Sequence, residues 1–493
     1  MSLSKLLDTV SFRRLQLIEI LVFDDIWWTI EKLSTLLDCS SRTLIADIQT
    51  INSKSKDNFF IRTSKQRGVK LIISDLFHVE DVYQEFVENS LNFQIIKSII
   101  ELDVTTSEEL SELLYTSQSS IRRNLKQLNV FLAEYKLSIQ SKPIKITGSE
   151  KQIRYFYSVF LCEYYYTNVE NFQHQMKEWA FNFLETLEKK ESIPSQSCFT
   201  NYKTLIWIIV CLDRVSKGYF IEENYLTIKM VTIQEKQLLY KFKEQLSFEL
   251  SGKEIDFMMY VYWNNRYEFE KIDLVNNAAS SYLYQQVLFF INQLKKETGY
   301  SIQEESFLIT NLMGYYFNGK FFSGPGNFLF NTRRRNTELS EKTFSDFTNK
   351  VENVVNRYPR GSWIYNMQIK ELVFVLMLFW KGLITQIISK KEKINIMICS
   401  YIGAQQERLL GEMIESRFPT VVDCSAFSST NLLKDTIQLV LTDHKINETQ
   451  QTMVQSKKVI GIDIVPTKRD WKRIERAIKD IQLEQERLGN RIV

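Results

Sequence analysis

Histidine is nearly absent, three in 493 residues, and that scarcity excludes a histidine-rich metal site. The six cysteines, at 39, 162, 198, 211, 399 and 424, form no C-x-x-C pair and no metal-ligand spacing. They read as reduced, mostly buried thiols. Also missing are a Walker loop, a nucleotide-fold glycine fingerprint, a zincin motif and a nucleophile elbow, so no enzyme is indicated and no cofactor is expected. No uncharged apolar run approaches the ~20 residues that span a bilayer. The longest, Leu205 to Leu212 and Leu372 to Trp380, read as buried helices. The first residues carry no apolar core of signal-peptide type, so a cytoplasmic protein without membrane contact is expected. What is plentiful is core material: 44% hydrophobic and 13% aromatic residues support full-sized cores in several domains and exclude a disordered chain.

The most informative feature is a twenty-residue pattern that returns 77 positions later. Leu33-Ser34-x-Leu36-Leu37-x-x-Ser40-x-x-Thr43-Leu44-x-x-Asp47-Ile48-x-x-Ile51-Asn52 recurs as Leu110-Ser111-x-Leu113-Leu114-x-x-Ser117-x-x-Ser120-Ile121-x-x-Asn124-Leu125-x-x-Leu128-Asn129. Leu33, Leu36 and Leu37 mark one apolar face, Ser40 suits a helix N-cap, and Leu44, Ile48 and Ile51 follow at helical spacing. Helix, tight turn, helix is the outline of a unit whose second helix enters the DNA major groove. Around that second helix, Ile121, Leu125 and Leu128 share one stripe while Arg122, Arg123 and Lys126 fall on the opposite face. The first copy presents Arg42, Ile45, Ala46 and Gln49 there, a less basic surface, so the second unit is expected to be the stronger DNA contact.

Each copy is followed by a candidate strand pair, Phe60 to Ile72 with Lys65 and Arg67 in its turn, and Leu137 to Ile146 with Lys142-Pro143. Both units therefore read as winged, with Phe12, Leu15, Ile18 and Leu21 marking a first helix that carries Arg13 and Arg14. Charge agrees with this placement. Ser40 to Ile72 holds seven Lys/Arg against two Asp, and Ser117 to Thr147 six against one Glu, whereas Asp75 to Glu112 between them holds ten acids and one lysine. Positive charge is thus concentrated where phosphate contact would use it.

From Gly148 and Ser149 to about Lys390 the pattern is helical and dense in aromatics. The segment from Ser323-Gly-Pro-Gly326 to Arg333-Arg-Arg335 is the main irregular stretch. After that, strand-like runs (Ile394 to Cys399, Val421 to Cys424, Ile437 to Thr442, Val459 to Ile464) and helical ones (Glu407 to Arg417, Lys468 to Leu488) point to a small α/β domain with a parallel sheet.

Two tandem winged units, the junction Ile146-x-Gly148-x-Glu150-x-x-Ile153-Arg154-x-Phe156-Tyr157, two helical modules and a terminal α/β domain together resemble the Mga/AtxA family of virulence regulators. The resemblance implies a mainly α, multidomain chain. Its expected parts are winged helix-turn-helix domains at 1–74 and 75–150, all-α modules of phosphotransferase-regulation (PRD) type at 151–280 and 281–390, and a domain similar to the IIB component of sugar phosphotransferase systems (EIIB-like) at 391–493. It implies a cytoplasmic transcriptional regulator. The leading reading is an activator that binds double-stranded DNA and self-associates as a homodimer or higher oligomer through its carboxyl-terminal half, where Leu409, Leu410, Met413 and Ile414 give the first helix of the α/β domain more apolar length than a small domain needs. RNA polymerase and phosphotransferase-system proteins are further candidate partners.

Candidate DNA-binding residues are Ser41, Arg42, Thr43, Gln49, Lys65 and Arg67 in the first unit and Gln118, Ser119, Arg122, Arg123, Lys126 and Lys145 in the second. His174 and Cys399 are the candidate phosphate acceptors, Cys399 because it ends a strand ahead of a loop and helix start that could stabilise an anion. Two alternatives remain open: a phosphotransferase-system component, and an RNA-binding antiterminator. The repeat counts against the second, because the deep, narrow RNA major groove does not admit a recognition helix.

Overall fold

The computed structural model describes residues 6–23, 26–55, 59–75, 77–165, 172, 174–191, 198–222, 242–264, 278–326, 344–360, 362–365, 367, 369–390, 393–427, 436–445 and 457–489. The chain is mainly helical. It divides into two compact units, one formed by Met1–Gln293, Glu305–Thr343 and Val354–Phe379, the other by Leu294–Glu304, Phe344–Asn353 and Trp380–Val493.

The first unit begins with the repeat. Helices α1 (Thr9–Phe23), α2 (Ile30–Leu36) and α3 (Ser41–Lys54) lead into an antiparallel hairpin, β1 (Phe59–Ser64) with β2 (Gly68–Ile73). After the intervening α4 (Val79–Glu88), the same order returns as α5 (Leu91–Glu101), α6 (Ser107–Leu113), α7 (Gln118–Leu132) and the hairpin β3 (Ser138–Ser141) with β4 (Ile144–Thr147). The apolar positions expected of α1 and of both second helices lie in the core: Leu15, Ile18 and Leu21, then Leu44, Ile48 and Ile51, then Ile121, Leu125 and Leu128. Leu36 does not follow the expectation. It is 56% exposed, because on so short a helix Leu33 and Leu37 stack at i,i+4 while Leu36 lies roughly 60° to the other side of Leu33. Leu113, its counterpart, is also exposed.

Every regular element described between Glu150 and Lys390 is a helix. In the first unit, α8 (Glu150–Tyr164), α9 (Lys177–Glu191), α10 (Cys198–Ser216) and α11 (Gly252–Asn264) pack around α10, whose Leu205–Leu212 stretch is buried throughout. Then follow α12 (Ala278–Thr298), α13 (Glu305–Phe321), α14 (Ser345–Val355), α15 (Ile369–Phe379) and α16 (Leu383–Lys390). No single helix among the described residues is long and apolar enough to cross a membrane. The arginine run Arg333 to Arg335 lies outside the described residues.

The second unit contains a four-stranded parallel sheet in the order β6-β5-β7-β8, built from β5 (Ile394–Cys399), β6 (Val422–Ala426), β7 (Ile437–Thr442) and β8 (Lys458–Gly461). Its helices α17 (Ala404–Arg417) and α18 (Lys468–Gly489) cover one face, where Ile394, Ile396, Ile398, Leu439 and Leu441 meet Leu410, Ile414, Ile474 and Ile478. Alternation along the strands sends Met397 and Val440 to the other face, with Phe427.

Candidate nucleic-acid interface

Both second helices of the repeat start on a serine cap. Ser40 Oγ accepts the Thr43 amide at 3.1 Å and Ser117 Oγ accepts the Ser120 amide at 3.2 Å, satisfying donors that a helix start leaves without partners. Ahead of α7, Thr106 and Glu109 form a capping box, and the Glu109 carboxylate accepts the Thr105 and Thr106 amides at 2.9 and 3.1 Å. Those amides hold the Glu109 carboxyl below its ordinary value.

With the apolar stripes of α3 and α7 buried, their opposite faces are left to solvent. Arg122, Arg123 and Lys126 are exposed on α7, as are Ser41, Arg42, Ile45, Ala46 and Gln49 on α3. Ser119 is exposed, and Thr43 and Gln118 are half-buried at the helix starts. Part of the hydroxyl capacity is spent locally: Thr43 Oγ1 lies 2.8 Å from Ser40 Oγ, and Ser119 Oγ 2.9 Å from Ser117 Oγ. Lys65 and Arg67 sit in the exposed β1–β2 turn, and Lys145 is exposed on β4. The sequence-derived candidates therefore gather on two helix faces and the two hairpins beside them.

Several positioning residues escape sequence reasoning. Asn52 grips β1 with both ends of its amide, donating to the Ile61 carbonyl at 2.9 Å and accepting the Ile61 amide at 2.8 Å. Its repeat partner Asn129 accepts the Ile139 amide at 2.6 Å, so the asparagines of the repeat fix each helix to its hairpin. In the first copy Trp28 pairs with Val69 through two backbone bonds of 2.8 and 2.7 Å. Gly68 makes that approach possible: its φ is +93° and a Cβ there would lie 2.0 Å from the Trp28 carbonyl oxygen. In the second copy Thr105, 77 residues after Trp28, accepts the Ile144 amide at 2.6 Å.

Arg13 and Arg14 turn to a buried partner. Each guanidinium donates from Nε to the buried Asp47 carboxylate at 2.7 Å, locking α1 to α3. Asn124 stands at the matching place in α7 and bonds within its own helix, to the Ser120 carbonyl at 2.9 Å.

The second copy is tied to the helices that follow it. Arg154 on α8 is fully buried and holds the equally buried Glu254 of α11 through Nη1 and Nη2 at 2.5 and 3.0 Å. Glu150 accepts from Arg154 at 2.9 Å and from Arg214 at 2.9 and 2.7 Å. The Arg214 guanidinium also stacks 3.6 Å from the Tyr219 ring centroid. Two carboxylates and two guanidiniums thus close a neutral network. Gln152 clasps the loop after α13, donating to the Ser323 carbonyl at 2.7 Å and accepting the Ser323 amide at 3.0 Å. Tyr135, one turn beyond α7, donates its hydroxyl to the Pro325 carbonyl at 2.8 Å.

His174 belongs to a polar chain that also reaches the second copy. Its Nδ1 accepts the Met176 amide at 3.1 Å, which leaves the proton of the neutral ring on Nε2, 3.4 Å from Asp213. Lys217 bridges Asp213 at 2.9 Å and Asp103 at 2.8 Å. Burial alone would raise the Asp213 carboxyl, but hydrogen bonds from His174 and Lys217 outweigh it and hold it below its ordinary value.

Cys399 ends β5 beside His444, with Sγ 4.0 Å from Nε2. The loop after it is already filled with carboxylate. Asp443 accepts the Ser400 hydroxyl at 2.5 Å and the Tyr401 amide at 3.0 Å, and Glu407 accepts the Ser400 amide at 3.1 Å and the Phe427 amide at 3.2 Å. Burial, then Glu407 and Asp443, raises the Cys399 thiol above its ordinary value, the opposite of what a nucleophilic thiolate needs. Burial likewise pushes Cys162 and Cys211 up to about 12.

Residues 75–161, from α4 into α8, match the family model described as the Mga helix-turn-helix domain. The chain is 21% identical over 450 residues to a trans-acting regulator of Streptococcus pneumoniae serotype 4, covering 88% of this chain and 90% of that protein. It is 23% identical over 316 residues to the capsule synthesis positive regulator AcpB of Bacillus anthracis, covering 62% of this chain and 65% of the relative. With the capsule synthesis positive regulator AcpA of the same organism it shares 28% identity over 218 residues, 44% of this chain and 45% of the relative.

Proposed function

We propose, for a chain that belongs to the Mga/AtxA-like family, that it is a positive transcriptional regulator that binds duplex DNA through two winged helix-turn-helix units. The observation that carries this is the pairing on α7 of a fully packed inner face with Arg122, Arg123 and Lys126 exposed on the outer one. Among the described residues, no hydrogen bond or ion pair engages those three cations. They contact DNA together with Gln118, Ser119 and Lys145, while Ser41, Arg42, Thr43, Gln49, Lys65 and Arg67 serve the first unit. The wings are the hairpins that Asn52 and Asn129 hold beside the recognition helices.

Replacing Arg122 and Arg123 together by Ala is expected to weaken binding and to lower the slope of log K against log salt by about two. A gel-shift salt series with duplex DNA and an RNA hairpin tests this, and an unchanged slope in the folded double variant would refute the placement. Arg42→Ala should cost less than Arg123→Ala, within the ~1–3 kcal/mol of a base-contacting pair. The reverse ranking would make the first unit the leading one.

The helical region, 151–280 and 281–390, reads as two modules of phosphotransferase-regulation type, and 391–493 as a IIB-like domain that lets the cytoplasmic protein self-associate. Supporting self-association, Tyr401, Ile402, Leu409, Ile464 and Val465 are exposed apolar residues on α17 and on the loops before α17 and α18. Leu410 and Ile414, by contrast, are fully buried in the domain's own core. Since Leu294–Glu304 and Phe344–Asn353 belong to the same compact unit, point changes test assembly better than truncation. Tyr401→Ser with Val465→Glu is expected to shift sedimentation toward the monomer. Cys399→Ser should leave folding, assembly and DNA binding unchanged, because the loop that would cradle a phosphoryl group is occupied by Asp443 and Glu407. A folded Cys399→Ser protein that loses regulation would restore the phosphocysteine reading.

A further inference from the structure

Helix α18 gathers six cations on one side. At about 100° per residue, Lys468, Arg469, Lys472, Arg473, Arg476 and Lys479 fall within an arc of roughly 140° and a length of about 16 Å. Ile474, Ala477, Ile478 and Ile481 on the other side are buried in the sheet's core, so the stripe faces solvent, and all six cations are exposed. Five of them, Lys468, Arg469, Lys472, Arg473 and Arg476, line a shallow groove of about 450 Å³. Arg473 has Asp470 at 3.6 Å and Lys479 has Glu475 at 3.0 Å. No described carboxylate forms an ion pair with Lys468, Arg469, Lys472 or Arg476. The position also opposes the helix's own electrostatics, since the first turns carry the positive end of the macrodipole. Folding alone does not select such an arrangement.

We infer that this stripe is a second, sequence-independent contact for the phosphate backbone of duplex DNA, contributed by the carboxyl-terminal unit. It rests on the reading of the chain as a DNA-binding regulator, and it uses none of the residues of the recognition helices. The composition of the arc selects the partner. Between Lys468 and Lys479 it holds no apolar or aromatic side chain, whereas interfaces with proteins bury an apolar core. A phosphodiester backbone presents repeated single charges, and lysine and arginine serve it equally without reading bases.

The test uses the full chain with Lys468, Arg469, Lys472 and Arg476 all changed to Gln, titrated against a target duplex and a scrambled duplex over a salt series. Gln is a good helix former, and the thermal midpoint should not fall. The slope of log K against log salt is expected to drop by about three to four on both duplexes, at ~0.9 per phosphate contact, which makes binding roughly a thousandfold weaker at low salt. An unchanged slope in the folded variant overturns the inference, and loss of polyglutamate binding alongside it would assign the stripe to an acidic protein instead. The Arg122→Ala/Arg123→Ala protein is measured in parallel. Full DNA binding there, with loss in the Gln variant, sinks the recognition-helix reading and leaves the α18 contact standing. A wild-type chain that binds neither duplex at any salt sinks both.

Discussion

Replacing Arg154 by Met is expected to cost about 3–5 kcal/mol of stability, the scale on which breaking one side of a buried ion pair is felt. Without the guanidinium, Glu254 sits fully buried and, among the described residues, keeps only the Ile221 amide, at 2.7 Å, on its Oε1. Glu150 keeps Arg214, so the loss falls chiefly on Glu254. Denaturant unfolding followed by tryptophan fluorescence reports it, since Trp207 lies in the same core. Changing Glu254 to Met as well should recover most of the loss, because a matched apolar pair carries no desolvation cost. A double variant as unstable as Arg154→Met would show that the arginine matters for its packing rather than its charge.

Gly324→Ala is expected to release the clasp between the loop after α13 and the second helix-turn-helix unit. The glycine has φ +90°, and a Cβ there would lie 2.5 to 2.7 Å from three atoms of the Tyr135 ring. That ring cannot yield, being fully buried against Phe131 and Phe156 at centroid distances of 5.6 and 4.9 Å. The loop must move instead, giving up the Tyr135–Pro325 and Gln152–Ser323 hydrogen bonds. Roughly 1–2 kcal/mol for the left-handed backbone and about 1 kcal/mol for each lost bond put the cost at several kcal/mol. Gly218→Ala is the control: its φ is +80° but nothing lies within 4 Å, so only the backbone part should appear. Equal losses in the two variants would dismiss the clasp.

The fold was most legible where neighbours in sequence are neighbours in space. Ser40 and Ser117 announce helix starts because the bond they make is three residues long. The two central strands of the terminal domain, β5 and β7, show as short apolar runs because they are buried on both faces. The repeat even contained the asparagines that hold the hairpins, although nothing in a single copy tells a gripping amide from a solvated one. What stayed hidden spans distance: Glu150 meets Arg214 across 64 residues and Arg154 meets Glu254 across 100. The partner of Arg13 and Arg14 was hidden for the same reason. Nothing in the sequence tells that both guanidiniums turn to the one carboxylate of Asp47, 33 residues on from Arg14.

The two copies of the repeat, so alike in sequence, are anchored in opposite directions. The first is braced from within by Arg13, Arg14 and Asp47. The second has Ser90 and Leu91 where those arginines would fall, and its tethers run outward, from Glu101 to Tyr165, from Asp103 to Lys217 and from Tyr135 to Pro325. A rearrangement in the helical region therefore has handles on the second copy and none of these on the first. If both copies hold DNA as proposed, a signal arriving through the helical region would move one hand more directly than the other, and the spacing between half-sites would be what it adjusts.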